Sequence, residues 1–457
     1  MKYQDFIVLL CLAGLSCSAD LKNTASDSNA ELKMQSGQAP AMAGSRLPRL
    51  RNLPNGDVLM SWVEPKGKGH VLKFSVLHDG SWIKQGEVAQ GENWFVNWAD
   101  YPSVVAIDKQ FWVAHWLVKQ QGGKNFDYDV ALAISNDAGN TWREIGHPHR
   151  DKGVAAEHGF ATIFADAGEA GIVWLDGREY VKKEDKVAGF KKTIRPEKSG
   201  NFNLRYTRIH RDGTMEAEQV LDDNTCTCCW TSVASTPKGA VVAWRGRTDG
   251  EIRDNRVALL RDGKWSTPAA LGAEGWKIEG CPVNGPAVSA RGMQVAAAWF
   301  TAEGDRSRVR AAFSKDGGKS FSKPVDIDEA SPLGRIGVGW KDDNTAVISW
   351  MTATDSVSKK SSLALQTINM DGRSDSIKHV LEISAGRDTG VPQMVAHGSG
   401  LVLAWTGVSP SYGVQTALMS WDDLQNKKNF KSAFLSKIAF LRHNTHPFTP
   451  IICGQQH

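Results

Sequence analysis

Residues able to do chemistry are concentrated between Thr225 and Trp299 in this 457-residue chain. The phrases TCTCCWTS, AWRGRTDGEIRD and EGCPVNGP carry four of the seven cysteines, together with Arg245, Arg247 and Arg253. Two chemistries compete for Cys226, Cys228, Cys229 and Cys281. A bridge from Cys226 or Cys228 to Cys281 would close a long loop and stiffen it. Alternatively, the thiolates together with His158 would hold zinc or copper, since soft sulfur with imidazole suits those ions. No cofactor is favoured over the disulfide.

A second group is acidic. Asp176, Glu157 and Asp100, with His158 beside Glu157, supply the residue types that glycosidic hydrolysis needs: one group to protonate the leaving oxygen, another to activate water or stabilise positive charge. The alternative is strand capping and turn hydrogen bonding. Arg46, Arg178, Arg245 and Arg335, with Asn284, can make planar two-pronged contacts to a ligand carboxylate, sulfate or phosphate; otherwise they pair with nearby acids. No nucleophile elbow, P-loop or dinucleotide fingerprint is present.

The elements that must position these groups repeat. Short apolar runs end on tryptophan at positions 62, 116, 174, 244, 299, 350 and 405. Each is followed by another strand and by a turn rich in Asp-Gly or Gly-Gly, where glycine accepts positive φ. Strand-length apolar runs without a long helical period predict an all-β chain. Repeated units of this kind predict a β-propeller of four-stranded antiparallel blades. Seven blades are favoured, the seventh being weakest, with six as the alternative; tandem sandwiches are a further alternative. In a propeller the start of each first strand and the end of each second strand meet at one mouth of the central channel. That geometry gathers Arg46, Asp100, Glu157, His158, Asp176, Arg178, Cys226, Cys228, Cys229, Arg245, Cys281, Asn284 and Arg335 at one rim.

Bulk properties narrow the partners. A net charge of +4, with the basic residues dispersed, gives nucleic-acid binding no support. Residues 1–19 read as an export signal, with Cys17 in a lipoprotein-like setting as an alternative that would make the protein membrane-associated through a lipid anchor. The chain is therefore expected to be exported: periplasmic, secreted, or outer-membrane-associated if lipidated. Residues 20–44 read as a flexible leader, 45–422 as the propeller, and 423–457 as an extension completing a last strand or lying outside it.

SNDAGNTW (135–142) and SKDGGKSF (314–321) resemble the Asp boxes of the sialidase superfamily, the BNR-repeat propellers. The phrases EHGF, WLDGR, CxCC, GEIRD and EGCPVNGP resemble those of bacterial sialidase-like proteins. The resemblance implies that Asp137 and Asp316 stabilise outer hairpins away from the site. It also implies an arginine set for a substrate carboxylate, with Arg46 of Arg46-Leu47-Pro48 nearest to the first arginine, Arg245 or Arg247 to the second and Arg335 to the third. Two functions follow as expectations. The first is a sialidase-like hydrolase acting on an anionic carbohydrate or small molecule in the central funnel, with Asp176 or Glu157 as acid/base. The second is a non-catalytic exported propeller that binds a ligand or partner, with or without a Cys/His metal site.

Overall fold

The apolar runs that end on tryptophan form second strands: Val58–Lys66, Trp112–Lys119, Glu169–Asp176, Gly239–Arg245, Gln294–Thr301, Thr345–Asp355 and Gly400–Gly407. Each pairs antiparallel with an inner strand before it, these being Arg46–Asn52, Ser103–Ala106, His158–Asp166, Ser232–Thr236, Ala287–Arg291, Pro332–Trp340 and Gln393–His397. The computed structural model describes residues 39–151, 154–182, 198–355, 360–408 and 412–425. Its architecture is a seven-bladed β-propeller. The export signal, Cys17, most of the leader and most of the extension lie outside the described residues.

Blades 1, 2, 3, 5 and 6 are four-stranded meanders. In blade 4 the outer position is shared by Lys264–Trp265 and Ala269–Ala270, both paired with Asn255–Arg261. Blade 7 has three strands among the described residues, the third being Gly413–Ser420. Its second strand buries Leu401, Val402, Leu403 and Ala404, enough apolar surface to hold the weakest repeat in the ring. The longest tryptophan interval, 174 to 244, contains a small extra ladder, Val181–Lys182 with Lys198–Ser199, inserted in blade 3.

Blade 7 closes on blade 1. Leu50, Met60 and Trp62 pack with Val402, Ala404 and Val414. Leu47 N donates to Thr406 Oγ1 at 3.2 Å, and Asn52 Nδ2 donates to the Ala396 carbonyl at 2.8 Å.

The repeated tryptophan has a polar purpose as well as an apolar one. A buried indole N–H needs an acceptor, and in five blades that acceptor is a carboxylate. Trp62 donates to Glu64, Trp174 to Asp176, Trp244 to Asp222, Trp299 to Glu274 and Trp350 to Asp328, at 2.7–3.0 Å. Asp222, Glu274 and Asp328 belong to the preceding blade, so these bonds tie blades 3 to 4, 4 to 5 and 5 to 6. A cation directly across the strand from the tryptophan neutralises four of the acids. Lys73 pairs with Glu64, Arg205 with Asp176, Arg256 with Asp222 and Arg310 with Glu274.

The turns after Ser135 and Ser314 repeat one hydrogen-bond pattern. In each, the serine Oγ meets the aspartate carboxylate and accepts from the glycine N–H, while the aspartate accepts from the residue four positions on. The Thr141 hydroxyl leads in holding the Asp137 carboxyl down to about 2, and the Ser320 hydroxyl does the same for Asp316.

Candidate functional site

Three places on the propeller hold unusual polar chemistry: the blade 2–3 rim, the blade 4–5 rim and the central channel. At the first, Tyr128 opens the third strand of blade 2 and is fully enclosed. Its hydroxyl lies 2.7 Å from Asp100 Oδ2 and 3.1 Å from Glu157 Oε1. Burial pushes the Asp100 carboxyl up to about 6, against the opposing hydrogen bond from Tyr128. Asp100 is therefore a carboxyl that keeps its proton to higher pH than an ordinary aspartate, and through Tyr128 it is linked to a partly exposed Glu157. Gly159 lets the chain pass this group, because a Cβ there would lie 2.5 Å from the Tyr128 hydroxyl.

His158 and Asp176 adjoin that cluster. His158 Nδ1 meets Asp129 at 3.1 Å, Nε2 meets Asp151 at 3.0 Å, and Asp176 lies 3.7 Å away. Its ring stacks on His149 with centroids 3.9 Å apart. Burial alone would lower the His158 pKa; hydrogen bonds to Asp129 and Asp151 and the charge of Asp176 outweigh it and raise the value to about 9. Burial lowers His149 instead, and the charge of His158 adds to that. Within the stacked pair the proton is therefore favoured on His158 over His149.

Asp176, expected as an acid/base, is occupied. It accepts from the Trp174 indole and takes a two-pronged contact from Arg178 at 2.8 and 2.6 Å. Burial would raise its pKa, but Arg178 and His158 hold it below the usual carboxylate value. Arg178, expected to bind a ligand anion, also pairs with Glu218 at 2.9 Å. These bonds make Asp176 and Arg178 parts of the blade.

The other expected arginine contacts are likewise internal. Arg245 is buried and donates to the carbonyls of Asn284, Arg253 and Phe300 at 2.9, 2.6 and 2.7 Å. Arg335 donates to the carbonyls of Gly390, Ala385 and Gly386 and lies over the Trp98 ring. Asn284 accepts from Arg335 N and donates to the carbonyls of Pro282 and Leu333. These side chains brace the blade 4–6 mouth, with their donors spent on main-chain carbonyls and, for Arg335, also on Met351 Sδ. Arg46 remains exposed at the mouth.

The cysteines form a separate cluster. Cys228 and Cys281 are disulfide-bonded, linking the entrances of blades 4 and 5; this is one of the two bridges expected. Cys226 and Cys229 are buried free thiols with sulfurs 2.9 Å apart. Arg253 Nη1 lies 3.5 Å from Cys226 Sγ. Burial raises the Cys226 pKa, but the Cys229 hydrogen bond, Arg253 and Arg245 outweigh it and bring the thiol down to about 6; burial and Cys226 push Cys229 up. His158 does not share this cluster. Among the described residues the metal-compatible groups are Cys226 with Cys228 and Cys229 and, separately, two that share His149: Asp129 with His147 and His149, and His149 with Asp151 and His158. Cys281 is committed to Cys228, and the histidine group is already paired internally. These bonds correct the expectation of one mixed Cys/His site.

The central channel contains residues that the sequence reading passed over. A cavity of about 450 Å³ is bounded by the inner strands, including Arg49, Arg51, Tyr101, Trp230, Trp340 and Gln393. Among the described residues its lining carries three arginines, the third being Arg291, and no aspartate or glutamate. Arg49 donates to Gln393 Oε1 at 2.9 Å and lies 4.1 Å from the Tyr101 ring centre. Arg291 pairs with Asp343. Arg51 Nε is buried without a hydrogen-bond partner. Burial, then the like charge of Arg49, penalises the Arg51 cation and lowers its pKa to about 9. The signal was in the strand RLPRLRN: positions 49 and 51 share one face while Leu50 enters the core on the other.

No family model matches this chain, and no curated protein does. Solved structures similar to it include carbohydrate-active enzymes, all at low identity. A Hadza microbial sialidase, Hz136, is 15% identical over 72% of this chain and 66% of its own, just under two thirds of its length, with TM-score 0.44. A PL25 ulvan lyase, solved bound to -[GlcA(1-4)Rha3S]-, is 12% identical over 84% of this chain and 94% of its own, with TM-score 0.48. The α-L-arabinofuranosidase Arb93A from Fusarium graminearum is 12% identical over 85% of this chain and 96% of its own, with TM-score 0.46.

Proposed function

We propose that this protein binds an anionic saccharide, a sugar acid or sulfated sugar, in its central channel. The observation that carries the proposal is the channel's charge: arginines without a lining carboxylate among the described residues, two of which, Arg49 and Arg51, have a buried Nε–H that lacks an acceptor. A ligand carboxylate or sulfate would supply that acceptor and relieve the repulsion between Arg49 and Arg51. Tyr101, Trp230 and Trp340 provide ring faces, and Ser232, Ser235 and Ser289 provide hydroxyls. This combination suits a sugar carrying an acid group, and the volume is of ligand-pocket size. Export would expose the channel to such sugars outside the cytoplasm.

Calorimetry with glucuronate, N-acetylneuraminate and galactose 6-sulfate, using glucose as the neutral control, tests the proposal. At least one anionic sugar should bind, glucose should not, and Arg51→Gln should weaken binding by about 10- to 100-fold, the worth of a charge-assisted hydrogen bond. Absence of anion binding, or equal affinity in Arg51→Gln, overturns it.

A hydrolytic reading is favoured by one specific observation. Tyr128 joins Asp100, raised to about 6, to the partly exposed Glu157. Two carboxyl groups sharing one hydroxyl, one buried with a raised pKa and one partly exposed, are residue types that glycoside hydrolysis uses. Glu157 would face the substrate, with Asp100 acting through Tyr128 as a positioning group. Loss of turnover in Glu157→Gln, with sugar affinity retained, supports hydrolysis; unchanged turnover refutes it.

A further inference from the structure

We propose that Cys226, Cys228, Cys229 and Cys281 form a thiol–disulfide exchange site that moves a disulfide between the rim and the interior. Cys226 and Cys229 stand in a C-x-x-C arrangement, and the middle cysteine, Cys228, carries the bridge to Cys281. Cys226 Sγ lies 2.9 Å from Cys229 Sγ and 3.9 Å from Cys228 Sγ, so one buried sulfur faces both an alternative partner and an existing disulfide. Arg253 directs an N–H at Cys226 from 3.5 Å and favours its thiolate, the form that attacks a disulfide. Access differs across the group: Cys226 and Cys229 are enclosed, Cys228 is half-buried and Cys281 is exposed.

The exchange balances without an added oxidant. The Cys226 thiolate attacks Cys228 Sγ; the Cys226–Cys228 bond forms, the Cys228–Cys281 bond breaks, and Cys281 leaves as thiolate. Cys229 then gives up a proton, which Cys281 takes up through solvent, and attacks Cys226 Sγ. The Cys226–Cys229 bond forms and Cys228 leaves as thiolate. One disulfide, two reduced sulfurs and one negative charge are present before and after. The isomer so produced presents a dithiol, Cys228 and Cys281, at the rim. Its external substrate is a disulfide-bearing molecule, which takes two electrons and leaves Cys228 and Cys281 bridged again; an external dithiol reverses the step.

Trapping tests this directly. Folded full-length protein is held with iodoacetamide, quenched in acid, and its disulfides and alkylated cysteines are mapped by mass spectrometry, with copper and zinc measured on the untreated sample. The wild type should accumulate alkylated Cys281 together with a Cys226–Cys229 bridge, and Cys226→Ser should cut Cys281 labelling by about tenfold or more, because the attacking thiolate is gone. Cys229→Ser should still label Cys281 but leave a Cys226–Cys228 bridge; this variant keeps the test decisive if Cys226→Ser fails to fold. Unlabelled Cys281 in the wild type, or equal labelling in Cys226→Ser, overturns the proposal. So does a stoichiometric transition metal with all four thiols reduced.

Discussion

Replacing His158 with Gln should remove a specific piece of the protein's alkaline pH dependence. His158 sits between Asp129 and Asp151, with Asp176 3.7 Å away, His149 stacked on its ring, and Arg178 paired with Asp151 and Asp176. Its pKa rises from 6.5 to about 9 on folding. A group raised in the folded state contributes stability that is fully present below its unfolded pKa and is lost as pH climbs through the folded one. At about 1.4 kcal/mol per pH unit, the contribution is about 3 kcal/mol at pH 6 and falls away between roughly pH 6.5 and 9. The surrounding acids act elsewhere: Asp129, Asp151 and Asp176 are all held low, so their contributions are lost only on acidification. His149, lowered by burial, gains nothing in the alkaline window. Urea unfolding of wild type and His158→Gln at pH 6.0 and 9.5 isolates the effect. The wild type should lose about 3 kcal/mol more than the variant between the two pH values. Equal losses would refute the assignment of the buried charge to His158.

Other predictions concern the blades. Glu274→Ala leaves the buried Trp299 indole without its acceptor and removes one of the two carboxylates paired with Arg310, Asp326 being the other, and should cost about 2–3 kcal/mol in urea unfolding. Glu274→Gln, which keeps the indole acceptor, should cost less; a reversed order would contradict the inter-blade tie. Gly159→Ala should destabilise by about 1–3 kcal/mol by forcing a Cβ against Tyr128 and Asp100, with calorimetric melting as the readout and an unchanged midpoint as the contrary result.

The ring of blades was readable because its tryptophans repeat at the end of the second strand, where one position is buried in every well-formed blade. Grouping Asp100, Glu157, His158 and Asp176 at one rim was readable from the same geometry, and Tyr128 and His158 connect them. Their roles were less accessible. Asp176 looks catalytic as a letter, yet it has the same task as Glu64, Asp222, Glu274 and Asp328: accepting a tryptophan N–H. The Trp174 indole bond reveals this, with the cross-strand register setting Arg205 opposite Trp174 as the neutralising cation. Arg245 and Arg335 looked like ligand contacts, but the mouth of the propeller turns main-chain carbonyls inward, and guanidinium groups satisfy them. Arg335 itself has left-handed backbone, φ 56°, at a bulge in the inner strand of blade 6. The choice between Cys226 and Cys228 as the partner of Cys281 depended on which side chain faces blade 5, and spacing alone does not determine that.

The most direct test of the channel as an anion site is a crystal structure of the protein soaked with glucuronate. The sugar is predicted to lie in the channel with its carboxylate against Arg49 and Arg51 and its ring beside Tyr101, Trp230 or Trp340. Glucuronate bound only outside the channel, or a channel empty of sugar at saturating concentration, would contradict the proposal.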